Sequence, residues 1–276
     1  MAFMKVLILV KTYPVLSKKY SELVCTAGLT ENFQWIRIYP VPFRLLEFEK
    51  KYKKYQWLEA DLIKNSADPR PESYRIKNFD TIRLLHFIDT KNNWQERKNL
   101  ILKNLPIYKD LKTLIQKANK NNLSLALFKP EKIIDFIAEE TERDWDSELV
   151  NKIENDIKQP DLFTTDEELQ LKETFELVKK IPYKFSYKFL DEKGKESCLM
   201  IEDWELGQLY WNCLKKGIDE KKAIEKVRQK YFIEFKKKDL YLYLGTTRQF
   251  HGWAKNPFVI IGVFYPPFID SLFDEF

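Results

Sequence analysis

A chain of 276 residues that is 44% hydrophobic and 32% charged can bury one large core or two small ones, and its 15% aromatic content excludes a disordered tail. The net charge of +5 is unevenly spread: residues 1–130 carry 24 basic and 12 acidic side chains, residues 131–176 carry 5 and 16. Two histidines and three widely spaced cysteines exclude a histidine-rich metal centre, a four-ligand zinc site and a disulfide framework.

No metal is expected, although carboxylate-held magnesium stays open, and no motif names a cofactor. The early apolar run 6–10 is far shorter than a membrane span and no small-residue cleavage site follows it. A soluble chain in the reducing cytoplasm, with no membrane partner, is the expectation.

Residues 5–12, 21–27, 33–39 and 55–63 mix β-branched and aromatic side chains in runs of strand length. Residues 28–32 read as a hairpin loop, Pro40 and Pro42 as the end of the third strand, and Asp68-Pro69-Arg70-Pro71 as a stiff turn before an extended stretch at 73–88. The expected fold class is α+β, with an antiparallel, barrel-like N-terminal sheet over residues 1–90. A mainly helical, acidic insert is expected over 91–181. Leu100, Leu105, Leu111, Leu114 and Ile115 fall at helical spacing around Pro106, 123–128 returns as a strand, and 131–155 and 167–180 again show helical spacing.

Residues 182–276 predict an α/β region packed on the first. It holds a hairpin over 183–190 and 196–201, two helices over 203–216 and 219–232 with Asp219 as N-cap, and buried strands at 240–245 and 258–265.

Four groups of residues carry candidate chemistry. Cys25 lies just before Gly28 and near Arg37 and Arg44, where a thiolate would be stabilised; as a nucleophile it needs His86 or His251 delivered by the fold, and a buried structural cysteine is the plainer alternative. Strand alternation puts Trp35, Arg37 and Tyr39 on one face and Ile36 and Ile38 on the other, so an exposed face would stack bases and pair phosphates with help from Arg44; a packing ladder is the alternative. Arg70 either grips a phosphate or pairs with Asp68 or Glu72. Asp203 and Glu205 begin a helix, and with Arg248 and His251 of the loop after Gly245 they suit acid–base work, helix capping being the alternative. Phosphate-loop and dinucleotide fingerprints are absent.

Two segments suit docking. Gln159-Pro160-Asp161-Leu162-Phe163 resembles the pentapeptide with which bacterial proteins bind the replication sliding clamp, Gln159, Leu162 and Phe163 filling its pockets. The tail 268–276 alternates acids with aromatics. Residues 5–14, Val24 to Gly28, Trp35 to Arg44, Asp68 to Ser73, Asp203-Trp204-Glu205 and Leu244-Gly245-Thr246 together resemble a prokaryotic family without an assigned activity. That resemblance spans nearly the whole chain and implies no catalytic role.

The leading functional expectation is a DNA- or RNA-binding protein of the kind that serves DNA modification, repair or defence, using Trp35, Arg37, Tyr39, Arg44, Arg70 and Arg248. The alternatives are an enzyme on a nucleotide or nucleobase, with Cys25 as nucleophile or Asp203, Glu205 and His251 as acid and base, and an adaptor that docks through the acidic middle and tail.

Overall fold

The computed structural model of the chain describes residues 3–17, 21–158 and 175–268. Strand β1 (Phe3–Lys11) is buried from Val6 to Val10 without a break because both of its faces are covered. Val6 and Ile8 point into one core, Leu7 and Leu9 into another.

The first core is the inside of a closed barrel. After β2 (Val15–Ser17), β3 (Ser21–Thr30) pairs antiparallel with β1 and with β4 (Trp35–Val41), β5 (Gln56–Lys64) pairs with the other edge of β1, and β6 (Ser73–Ile76) joins β5 to β4. Counted without β2, the ring runs first, second, third, fifth, fourth and back to first, with its third and fifth members parallel. This is the strand order of the oligonucleotide/oligosaccharide-binding barrel. Strand β7 (Arg83–Phe87) extends the ring from β5.

Gly28 stands inside β3, not in the turn expected at 28–32, which shrinks to Glu31–Asn32. A Cβ at Gly28 would sit 2.1 Å from the Leu7 carbonyl oxygen, so glycine here permits the close approach of two barrel strands.

The remaining strands repeat the same order. Helix α1 (Lys91–Leu102), interrupted near its start by left-handed backbone at Asn92, Asn93 and Trp94, β8 (Ile107–Tyr108) and helix α2 (Leu111–Asn119) lead to β9 (Leu125–Phe128), which continues across Lys129–Glu131 into β10 (Lys132–Glu140). β9 pairs with β13 (Tyr241–Thr246), and β10 with β11 (Tyr183–Leu190). β11 pairs with β12 (Glu196–Met200), and the bridge Ile201–Ile260 carries β12 in parallel to β14 (Phe258–Phe264), the antiparallel partner of β13.

Taking β9 and β10 as one bent strand, the path is again first, second, third, fifth, fourth, with helices α4 (Trp204–Lys215) and α5 (Glu220–Arg228) between the third and fourth strands. Helix α3 (Ser147–Lys158) lies in the long connection between the first and second. Residues 132–140 are therefore a strand, contrary to the helix expected over 131–155, because a bulge between Ile133 and Asp135 puts Ile133 and Phe136 on the same side, a spacing of three that imitates a helix. Residues 175–180 carry no helix either.

Three buried clusters follow from this plan: the inside of each barrel and the seam between them. The seam joins Leu7, Leu9, Ala27, Leu29 and Tyr55 to Leu125, Leu127, Tyr243, Ile261 and Phe264. Each leucine, isoleucine or phenylalanine among them contributes roughly 1.5–3 kcal/mol by leaving water, which favours the two barrels packed together. Among the described residues no helix is long and apolar enough to cross a membrane.

Candidate nucleic-acid interface

The alternation expected in β4 holds, but the Trp35–Arg37–Tyr39 face is not open. It is the face on which the second barrel sits. Trp35 packs edge-on against Tyr243, with ring centroids 6.0 Å apart, and Arg37 is only 2% exposed. The Arg37 guanidinium donates to Cys25 Sγ (3.1 Å), Ser124 O (3.1 Å) and Ser124 Oγ (3.2 Å), while Ser124 N and Oγ donate to the Glu72 carboxylate. Burial lowers the pKa of Arg37, and nearby Arg70 adds to the effect. Arg37 is thus a seam residue and not a phosphate contact.

Arg70 is likewise committed. It donates to both Asp68 oxygens at 2.6–3.2 Å and through Nη1 to Thr246 O at 2.6 Å, tying the turn 65–72 of the first barrel to the end of β13 in the second. Burial works to raise the Asp68 pKa, but the Arg70 bonds outweigh it and hold the carboxyl at about 2. Arg44 is taken by Glu22 Oε1 (2.6 Å) and Glu176 O (2.9 Å). Tyr39 is half-buried at the rim of the seam, and Arg70 and Arg248 both act on its phenol electrostatically.

An open basic and aromatic surface lies elsewhere, on the loop 247–257 that joins the fourth and fifth strands of the second barrel. His251 pins the base of this loop, its Nδ1 3.0 Å from Thr246 Oγ1 and its Nε2 2.7 Å from Asn121 Oδ1. Burial, then Arg70, lowers the His251 pKa and favours the neutral ring. Above it Phe250 is 40% and Trp253 69% exposed, their rings 5.7 Å apart, with Arg248 and Lys255 exposed on either side. Trp253 Nε1 donates to Gln249 O, which fixes the indole. Of the seven tryptophans only Trp253 is exposed. Sequence reasoning singled out Arg248 and His251 but missed Phe250 and Trp253; their signal was two large aromatics among polar residues in a strand-to-strand loop.

The catalytic candidates do not assemble. Asp203 caps α4 by accepting from Glu205 N at 3.2 Å, and its other oxygen lies 3.7 Å from Lys54 Nζ and accepts from Tyr231 OH. Lys54 also donates to Glu205 at 3.0 Å. Burial pushes the Asp203 pKa up to about 6 against the pull of Lys54, and burial followed by Lys54 lowers Lys11 to about 8. His251 shares no hydrogen-bond partner with Asp203 or Glu205, and Cys25 Sγ is bonded to Arg37 rather than to an imidazole. Among the described residues no hydrogen bond joins Cys25 to a histidine, or His251 to Asp203 or Glu205. Among the described residues no cluster of histidine, cysteine, aspartate and glutamate suits a metal. Gln159, Leu162, Phe163 and the tail 269–276 lie outside the described residues.

Topology and core thus define a protein of two packed five-stranded barrels. The chain belongs to a family described as Domain of unknown function (DUF8757), whose model matches residues 108–276; a second, Domain of unknown function (DUF8758), matches residues 2–103. The two matches meet between the barrels. No curated protein matches the chain. A solved structure of a murine DNA-binding protein bound with double-stranded DNA is 13% identical over 74% of this chain and 75% of that one, with a TM-score of 0.28, a likeness too slight to carry an argument.

Proposed function

We propose that this protein binds single-stranded nucleic acid, DNA or RNA, through the loop 247–257. The observation that carries this is the exposed Phe250–Trp253 pair flanked by Arg248 and Lys255 on a loop anchored by His251. Bases stack on such rings whatever their sequence, and the flanking cations meet the backbone phosphates. The loop between the fourth and fifth strands is also one of the elements that five-stranded barrels of this kind use for oligonucleotides, beside the face of the second and third strands and the loop between the first two, a support by analogy of fold only. The basic excess of residues 1–130 adds a long-range attraction for a polyanion.

Fluorescence anisotropy with single- and double-stranded DNA and RNA, at low and physiological salt, tests the reading. Trp253→Ala should weaken single-strand binding by roughly 1–3 kcal/mol, about 5–150-fold, and Arg248→Ala should flatten the salt dependence by about one counterion. Both variants should melt with the native protein, since the two side chains are exposed. Binding that ignores both substitutions refutes the site, and absence of binding at low salt refutes the function.

A further inference from the structure

At the other end of the β13–β14 hairpin, away from the loop 247–257, a cavity of about 290 Å³ opens beside the seam. Its walls are rings, Tyr55, Phe87, Trp94 and Tyr265; Lys53 stands at its rim, and Lys54 and Glu205 reach it from the α4 side. Arg97 lines it and is 6% exposed, stacked over Tyr55 with its guanidinium carbon 3.8 Å from the ring centroid and 5.1 Å from that of Trp94.

Among the described residues Arg97 forms no ion pair, and Asp89 acts on it only from a distance. Its Nε and Nη2 both donate to Ile88 O, at 2.9 and 2.6 Å, and among the described residues Nη1 makes no hydrogen bond. Lys54 differs, since Glu205 and Asp203 neutralise it. A buried cation without a counter-charge is unfavourable, and stacking on aromatic faces offsets only part of the desolvation.

Backbone geometry adds to the picture. Tyr55 and Trp94 both adopt left-handed φ, 63° and 65°, which disfavours side chains with a Cβ. Two such aromatics on one cavity are held there by surrounding structure, the pattern of strain found at binding sites.

We infer that this cavity binds a mononucleotide, its phosphate on Arg97 and Lys53 and its base against the rings of Phe87, Trp94 and Tyr265 that line it. The ring walls suit a planar base. Arg97 supplies a fork for a phosphate, and the half-exposed Glu205 carboxylate accepts from a ribose or base donor. The volume sits at the small end of ligand pockets, near ~300 Å³, which admits one nucleotide but not a strand. This site uses none of the residues of the loop 247–257 and stands or falls separately from it.

Isothermal titration of the full chain with AMP, GMP, CMP and UMP tests the inference, with adenosine and inorganic phosphate as controls. At least one monophosphate should bind, and its nucleoside about tenfold or more weaker, the loss of one charge-assisted contact. Arg97→Met, which removes the unpaired charge but keeps the stem, should weaken binding about tenfold or more. Lys53→Glu, an exposed change that leaves the core intact, should weaken it in the same direction. Competition by a 5′-phosphorylated trinucleotide would place the nucleotide at a strand end, and lack of competition would make it a free one; both sources satisfy the inference. No binding by any monophosphate at millimolar concentration overturns it, as does binding indifferent to both Arg97→Met and Lys53→Glu.

Discussion

Arg70→Met separates a structural arginine from a ligand-binding one. The substitution removes three hydrogen bonds to Asp68 and the one to Thr246 O that crosses between the barrels, and leaves the Asp68 carboxylate buried with Ser73 Oγ as its remaining side-chain donor. Asp68 is held at about 2 against an ordinary value of 3.8, which corresponds to roughly 2–3 kcal/mol favouring the charged form in the folded protein. Stranding one member of a buried pair costs about 3–5 kcal/mol, so the variant should lose about that much at pH 7.

The sign of the pH effect follows from the depressed value. In the native protein the Asp68 contribution is fully present above pH ~3.8 and is lost as pH falls through about 2. In the variant, burial without a cation raises the Asp68 pKa, so the carboxyl protonates sooner and its penalty fades. The stability gap should therefore narrow as pH falls from 7 to 4. Urea unfolding followed by tryptophan fluorescence at both pH values measures it. A deficit under about 1 kcal/mol at pH 7, or one that does not change between pH 7 and pH 4, would refute the buried-pair account.

Other substitutions test the seam and the buried groups. Gly28→Ala should cost about 3 kcal/mol or more, because the new methyl meets the Leu7 carbonyl and no side chain can move aside; a near-neutral melting temperature would contradict the strand packing. Lys11 loses its proton earlier in the folded protein (about 8) than in the unfolded chain, so its burial penalty is present at neutral pH and is relieved as pH rises from 8 to 10.5. The stability of Lys11→Met relative to the native chain should thus fall by about 3 kcal/mol between pH 7 and pH 10.5, whatever the constant loss of the Lys11 bond to Tyr52 O; denaturant curves at the two pH values decide this. Cys198 is exposed, Cys25 half-buried and Cys213 buried, so a thiol reagent should label Cys198 first and Cys213 only on unfolding. If Cys198→Ser keeps the fast phase, Cys25 is the reactive thiol, as an activated nucleophile would require.

Local signals in the chain were enough for much of the architecture. Alternation in β4, the hairpin of β11 and β12, the Asp203 and Asp219 helix caps and the strands at β13 and β14 depend on neighbours in sequence, and they stand where residue pattern alone places them. Where a long-range contact overrides local spacing, the pattern misleads. The bulge in β10 gives Ile133 and Phe136 a helical interval, and Gly28 reads as a turn although the packing of β3 on β1 is what demands it.

The sites depended on tertiary structure more than the strands did. Periodicity correctly set Arg37 on the outer face of its barrel, but nothing local shows that a second barrel covers that face. Burial against Ser124 converts a cation suited to phosphate into a bond between barrels. Tyr55, Trp94, Arg97 and Tyr265 come from four separate stretches of chain and acquire a common cavity only when the barrels pack. Composition and periodicity determine which residues are cationic, aromatic or apolar and which way each faces along its own strand. The packing of one barrel on the other decides which of those faces remain open to a ligand, because solvent exposure is a property of the whole surface and not of the segment.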